Sequence, residues 1–226
     1  MQRFWLSAFA LVLCTLGASA HAETAWQEGK HYFLIRPAQL TVTSGKIEVT
    51  EVFSYGCPAC NRFYPVADRL KAGLPPNAQM VFLPASFIPS EDWPMFQRAY
   101  FAAQELGIAD KTHDQMFDAV WKTGELAVVD PGTQRLKNPP PSIADAAKFY
   151  ARAGGVKAQD FINTANTSFS VDKNMRQADA RIKALGVDST PTIIVNGKYR
   201  LDVGSAGGYE ELVQLVKWLV AKEGGK

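Results

Sequence analysis

The chain has 226 residues, 47% of them hydrophobic and 20% charged, with 17 Gly, 13 Pro and 3 Cys. That balance excludes a disordered, collagen-like or disulfide-stapled chain and leaves room for one large domain or two small ones. Lys and Arg number 24 against 22 acids, a formal net charge of +2 with no long basic run, so nucleic acid is not expected as a partner.

Arg3 precedes an uncharged, mostly apolar stretch from Phe4 to Leu16, and Ala18-Ser19-Ala20 and Ala20-His21-Ala22 both offer the small residues a signal peptidase reads. We read residues 1–22 as a secretory signal peptide cleaved near Ala22. The apolar stretch is shorter than the roughly 18–20 residues of a membrane span. Cys14 leaves with it: bulky Leu13 and its depth in the stretch argue against lipoprotein processing. Removal takes Arg3 and no acid, so the exported chain is nearly neutral. Disulfides persist after export, yet two remaining cysteines are too few for a stapled scaffold.

From Lys46 to Tyr55 the pattern alternates, with Ile47, Val49, Phe53 and Tyr55 on one face and Glu48, Thr50 and Ser54 mainly on the other, which predicts a core strand. Cys57-Pro58-Ala59-Cys60 follows, and then Phe63, Val66, Ala67 and Leu70 recur at helical spacing. Pro58 suits the first helical position, and Pro65 predicts a kink rather than a stop. After the Pro75-Pro76-Asn77 turn, Gln79 to Leu83 reads as a second buried strand. Together these form a βαβ unit.

From about Trp93 to Leu185 the apolar residues follow a helical period without a convincing strand. Asp130 to Pro141, with a Pro-Gly turn and three consecutive prolines, reads as a surface loop, and Ser142 and Asp145 have capping-box spacing. Val171, Met175, Ala178, Ile182 and Leu185 mark one long helix ending at Gly186. Thr192 to Val195 and Lys198 to Leu201 flank Asn196-Gly197, a strong hairpin signal. Tyr209, Leu212, Val213, Val216 and Val220 then form the apolar face of a last helix. The order is βαβ, helical insertion, ββα.

A Cys-X-X-Cys pair after a strand and at a helix start reads as a redox dithiol. Other readings compete. A crosslink over so short a loop would contribute only about 2 kcal/mol. A zinc site would have two ligands of four, and neither His31 nor His113 has a ligand-spaced partner. Inert thiols would be out of place in an oxidising compartment. For redox chemistry, Cys57 is the expected nucleophile. At the helix N-cap its sulfur meets the N–H groups of Ala59 and Cys60 and the positive end of the helix dipole. Cys60, one turn in, suits the resolving role. Glu51 lies on the otherwise apolar face of its strand, where an unpaired carboxylate raises its own pKa unless it reaches water at the strand end. Phe53, Tyr55, Phe63 and Phe87 surround the motif, most of them expected in the core.

Glu51-Val52-Phe53-Ser54-Tyr55-Gly56-Cys57-Pro58-Ala59-Cys60, Gly186-Val187-Asp188-Ser189-Thr190-Pro191 and Val195-Asn196-Gly197-Lys198-Tyr199 together resemble the DsbA family of periplasmic thiol:disulfide oxidoreductases. The resemblance covers essentially the whole exported chain. It implies an α/β thioredoxin fold with an inserted all-helical subdomain, residues 23–88 and 172–226 forming the first and 89–171 the second. It also implies that Pro191 is a cis-proline, preceded by Thr190, that faces the dithiol and holds extended substrate backbone, and that Glu51 is the buried acid serving Cys60. Reduced, unfolded exported proteins would be the clients. A DsbB-like membrane protein linked to quinone would restore the disulfide, with no cofactor or metal on this chain, which is expected to be a periplasmic monomer. Family members often carry His where Ala59 stands, so a weaker oxidant is expected here. Two alternatives remain: a disulfide reductase or isomerase, for which Glu23 to Gly45 is too short to add a dimerisation domain, and a peptide-binding or metal-delivering protein that does not turn over.

Overall fold

The computed structural model describes residues 26–225; the signal peptide read over residues 1–22, with Cys14, lies outside them. Among the described residues, no helix is long and apolar enough to cross a membrane.

The predicted core strand is β2 (Ile47–Phe53), preceded by a short β1 (Phe33–Leu34). It runs through a tight turn into α1 (Pro58–Ala72), which continues through Pro65, and then into β3 (Ala78–Pro84). β2 stops two residues before the predicted end because Ser54 to Gly56 turn the chain, the Cys57 N–H donating to the Ser54 carbonyl at 3.1 Å. The insertion holds α2 (Trp93–Glu105), α3 (Ala109–Trp121), α4 (Ile143–Gly154) and α5 (Ala158–Thr167). Ser142 and Asp145 form the expected capping box at the start of α4. The long helix α6 (Phe169–Ala184) begins on Ser168, whose hydroxyl accepts from the N–H groups of Ser170 and Val171. Next come β4 (Thr192–Val195), β5 (Tyr199–Leu201), the short α7 (Val203–Ala206) and α8 (Tyr209–Gly224).

Among the described residues, five strands make one sheet in the order β1-β5-β4-β2-β3. β2 lies centrally, parallel to β3 and antiparallel to β4. The β4–β5 turn has Asn196 at φ 53° and Gly197 at φ 65°, both left-handed as a two-residue type I′ hairpin requires. Gly197 is needed for a second reason: a Cβ there would lie 2.1 Å from the Gln39 carbonyl oxygen. Residues 33–39 pass so close because Ile35 and Gln39 donate their N–H groups to Lys198 and Gly197. The sequence pattern did not indicate β1, since two residues cannot display alternation.

Alternation alone would leave the Glu48–Thr50 face of β2 to water, but both residues are buried. Glu48 accepts hydrogen bonds from Thr50 Oγ1 at 2.8 Å and from the Val42 N–H at 2.7 Å, and pairs with Arg181 of α6. Burial pushes its pKa up, but these hydrogen bonds and the Arg181 charge outweigh that and hold it below the usual carboxylate value. α6 is thereby pinned across the sheet. On the opposite face, α8 packs against β2, β4 and α1. The central strand is thus covered on both sides, and its C-terminal end delivers Cys57 to the edge of the core.

Candidate active site

Cys57 is the N-cap residue of α1 and has extended backbone (φ −85°, ψ 119°), with Pro58 in the first turn. Its Sγ accepts from the Cys60 N–H at 3.4 Å. Both cysteines are free thiols; Cys57 keeps 6% of its surface and Cys60 none. Pro58 is exposed and Ala59 half-buried.

The two sulfurs are electrostatically unlike. The Cys57 pKa is drawn down to about 6, first by a hydrogen bond from the Cys60 side chain. Burial opposes this, while Thr190 and the backbone N–H groups of Cys60 and Ala59 assist. The Cys60 thiol is pushed well up by burial, by its hydrogen bond to Cys57 and by the negative charges of Cys57 and Glu51. A single dithiol therefore holds one sulfur readily ionised and one kept protonated.

Glu51 is 1% exposed, and neither carboxylate oxygen has a hydrogen-bond partner among the described residues. It does not reach water at the strand end. Burial, then the charges of Asp68 and Cys57, push its pKa up to about 8, so at neutral pH it is mostly the neutral acid. Its cross-strand neighbours are Phe82 on β3 and Ile193 on β4, whose side chains offer no polar atom to the carboxyl.

The loop before β4 faces the dithiol. The Thr190–Pro191 peptide is cis, and the Cys57 thiol donates to the Thr190 carbonyl oxygen at 3.4 Å. The Thr190 hydroxyl is buried without a protein partner while Cys57 is a thiol, so it is available to donate to the thiolate. Ala59, Arg62, Thr190, Pro191 and Tyr209 border a shallow cleft of about 340 Å³ here.

Three residues that sequence reasoning did not single out as functional fix this corner. A Cβ on Gly56 would lie 2.8 Å from Trp93 Nε1, so the glycine is a packing requirement. Trp121 Nε1 donates to the Tyr55 carbonyl at 2.8 Å. His113 Nδ1 is hydrogen-bonded to the Tyr55 hydroxyl at 2.9 Å, and burial, with Lys71 nearby, pushes its pKa down to about 3 and keeps it neutral. Phe53, Tyr55 and Phe63 are core residues; Phe87 is 37% exposed.

A thioredoxin family model matches residues 43–217. The thiol:disulfide interchange protein DsbA of Pseudomonas syringae pv. tomato is 34% identical over 223 residues, covering 99% of this chain and 96% of the relative. That of Pseudomonas aeruginosa is 31% identical, covering 99% and 97%. The crystal structure of Pseudomonas aeruginosa DsbA matches with a TM-score of 0.75 at 32% identity, over 88% of this chain and 95% of that one. The oxidoreductase DsbA from Xylella fastidiosa matches with a TM-score of 0.76 at 30% identity, over 88% and 97%.

Proposed function

This chain belongs to the DsbA family of thiol:disulfide interchange proteins and is a thiol:disulfide oxidoreductase with a thioredoxin fold, and from that membership we propose that Cys57 exchanges with client thiols while Cys60 resolves. A client thiolate attacks Sγ of Cys57 in the Cys57–Cys60 disulfide; that S–S bond breaks and a mixed disulfide forms. Cys60 leaves as a thiolate and takes a proton, which we assign to Glu51, the neutral acid beside it; water then restores the Glu51 proton. A second client thiolate attacks the client sulfur of the mixed disulfide and releases Cys57 as a thiolate. The client loses two electrons as its disulfide forms, and the enzyme disulfide gains them.

The observation that carries this reading is the opposed tuning of Cys57 and Cys60 by the hydrogen bond between their side chains, by burial of Cys60 and by the donors around Cys57. A stable Cys57 thiolate is a good leaving group, which makes disulfide donation fast. Thr190 and Pro191 hold client backbone in the adjoining cleft, and Pro58 and Ala59 set the approach to the sulfur. We further propose residues 23–88 with 172–226 as the thioredoxin-like part and 89–171 as the helical insertion, the second boundary falling in the first turns of α6. The setting is the periplasm, where a monomer oxidises reduced, unfolded exported proteins and a DsbB-like, quinone-linked membrane protein reoxidises it.

Turnover of a reduced, unfolded protein is the direct test. Catalytic disulfide formation is expected from the parent, none from Cys57→Ala, and accumulated mixed disulfides from Cys60→Ala. Stoichiometric retention of client without oxidation would establish a binding protein instead, and Cys57→Ala that still oxidises would remove Cys57 from its role.

A further inference from the structure

Beside the dithiol, and sharing no lining residue with the cleft at Thr190 and Pro191, a cavity of about 450 Å³ is lined by Gly56, Pro58, Trp121, Val128, Val129 and Pro131 among others. Gly56 and Pro58 flank Cys57, so the cavity opens within one residue of the reacting sulfur. Its outer wall is the segment between α3 and α4, and this wall is built rather than loose. Leu126 is fully buried and donates its N–H to the Ala119 carbonyl at 3.0 Å. Asp130 Oδ1 accepts from the N–H groups of Gly132 and Thr133. The Lys137 N–H reaches the Val128 carbonyl at 2.8 Å, and Glu125 pairs with Arg152 of α4 at 2.5 Å.

The lining chemistry selects the occupant. Lys122 and Glu91 also border the cavity, but Lys122 pairs with Asp118 at 2.7 Å, and Glu91 accepts from Trp93 Nε1 at 3.3 Å. Asp118 meets the Lys122 charge, and the Glu91 carboxylate, bonded to a neutral indole, disfavours an anionic occupant. The Trp121 indole N–H is already given to Tyr55, yet 37% of the residue remains exposed, as does 38% of Val129. A mostly apolar space of this volume, with the Trp121 indole in its wall, lies within the range of about 300–1,000 Å³ that holds small organic groups. Aromatic side chains recover most in such a site, since they carry a large apolar area and stack on another ring.

We propose that this cavity is a client-specificity pocket that receives an aromatic side chain one or two residues from the client cysteine that Cys57 engages. The inference rests on the disulfide-donor reading, because that activity places an extended polypeptide across Cys57. Successive residues of such a segment advance about 3.3 Å, so a near neighbour of the bound cysteine passes over Pro58 into the cavity. Since the cavity lies to one side of the dithiol, the preference has a direction: an aromatic residue on one side of the client cysteine is favoured and on the other is not.

The test uses the purified protein and reduced two-cysteine peptides with Trp, Phe, Ser or Gly one or two residues before or after the first cysteine. The expected result is a kcat/KM roughly tenfold higher for Trp or Phe than for Gly at one of these positions. Within each variant, the Trp-to-Gly ratio is its own control. It is expected to fall to within about twofold in Val129→Asp, which puts a charge in the mouth, and in Val129→Trp, which fills the cavity without charge. A ratio near one at every position in the parent, or a ratio that survives in either folded variant, overturns the pocket. A parent that oxidises none of the peptides refutes the disulfide-donor reading and the pocket with it, whereas equal oxidation of all of them refutes the pocket alone.

Discussion

The Cys57 thiol donates to the Thr190 carbonyl oxygen at 3.4 Å across 133 residues of sequence. The pairing of β2 with β4 creates this contact, because it sets the turn after β2 beside the loop before β4. The two ionisation states of Cys57 use this neighbour differently. The thiol has a proton to give to the carbonyl. The thiolate has none, and depends instead on donors: the Cys60 thiol and N–H, the Ala59 N–H and the Thr190 hydroxyl. The site therefore exchanges one hydrogen-bond set for another as Cys57 ionises.

The reduction potential should change its pH slope near pH 6. Below that pH, reducing the disulfide takes up two protons with two electrons. Above it, Cys57 stays a thiolate, and only the strongly up-shifted Cys60 takes one. Each proton contributes about 30 mV per pH unit to a two-electron couple, so the slope should halve, from about 60 to about 30 mV. Linkage gives the matching stability effect. The Cys57 pKa is depressed on folding from an ordinary value of 9.0 to about 6. The reduced protein's advantage over the oxidised form is thus fully present above about pH 9 and is lost as the pH falls through 6. Glutathione redox titrations across this window are the measurement, and an unbroken slope up to pH 8 would contradict the assigned thiolate.

Glu51→Gln should stabilise the reduced protein and slow the chemistry of the oxidised one. The native carboxyl titrates at about 8 against an ordinary value of 4.5. Below 4.5 both states hold the proton and there is no penalty. As the pH rises from 4.5 to 8 the unfolded chain ionises while the native chain must keep its proton, so folding loses about 1.4 kcal/mol per pH unit. Above 8 the penalty is constant. Glutamine, with no proton to lose, should give a variant more stable by a few kcal/mol at neutral pH and equal to the parent near pH 4. Denaturant unfolding of the two reduced proteins across pH tests the sign. A parallel loss in the rate at which Cys60 leaves separates a proton donor from a merely buried acid.

Gly56→Ala should destabilise the fold by about 1–3 kcal/mol, the usual cost of an added methyl in a packed site. The new Cβ would lie 2.8 Å from Trp93 Nε1, and Trp93 is itself buried at 4% exposure, so the ring has little room to retreat. The expected signature is a Tm lower by several degrees. Partial recovery is expected in Gly56→Ala/Trp93→Phe, because the two changes relieve the same contact. Simple additivity of the two single variants would show that the glycine serves something other than Trp93.

The elements that could be read in the sequence carry their signal locally. The alternation of Ile47 to Phe53, the N-cap at Cys57, the Asn196-Gly197 turn and the four–three spacing on α6 each fit within one element, and the cysteines announced their role by their place at a strand–helix junction. What could not be read depends on distant partners. Trp121 and His113 both anchor Tyr55 from about sixty residues away, and no periodicity records such a contact. Glu51 could be placed on an apolar face, but its isolation follows from Phe82 on β3 and Ile193 on β4 lying on either side of it, a matter of register between strands. The Glu48 face looked polar because its acid is buried with Arg181, which comes from α6 across the insertion.

Ala59→His should make the enzyme a stronger oxidant. Ala59 follows Pro58 in the first turn of α1 and borders the cleft beside Thr190 and Pro191. A histidine there adds a ring N–H and, once protonated, a positive charge near Cys57 Sγ, and both favour the thiolate over the thiol. The Cys60 side chain, the Thr190 hydroxyl and the N–H groups of Cys60 and Ala59 already draw Cys57 down to about 6, so the histidine extends a stabilisation that exists without it. Since a stabler thiolate means a stabler reduced form, the potential must rise in step, by about 30 mV for every tenfold gain in the reduced-to-oxidised equilibrium. Ultraviolet thiolate absorbance against pH should place the variant's Cys57 pKa below the parent's, and a glutathione titration should place its potential above. The two shifts must share a sign. A lower pKa with an unchanged or more reducing potential would mean that the histidine stabilises the disulfide form as well, and that thiolate stability alone does not set the oxidising strength of this site.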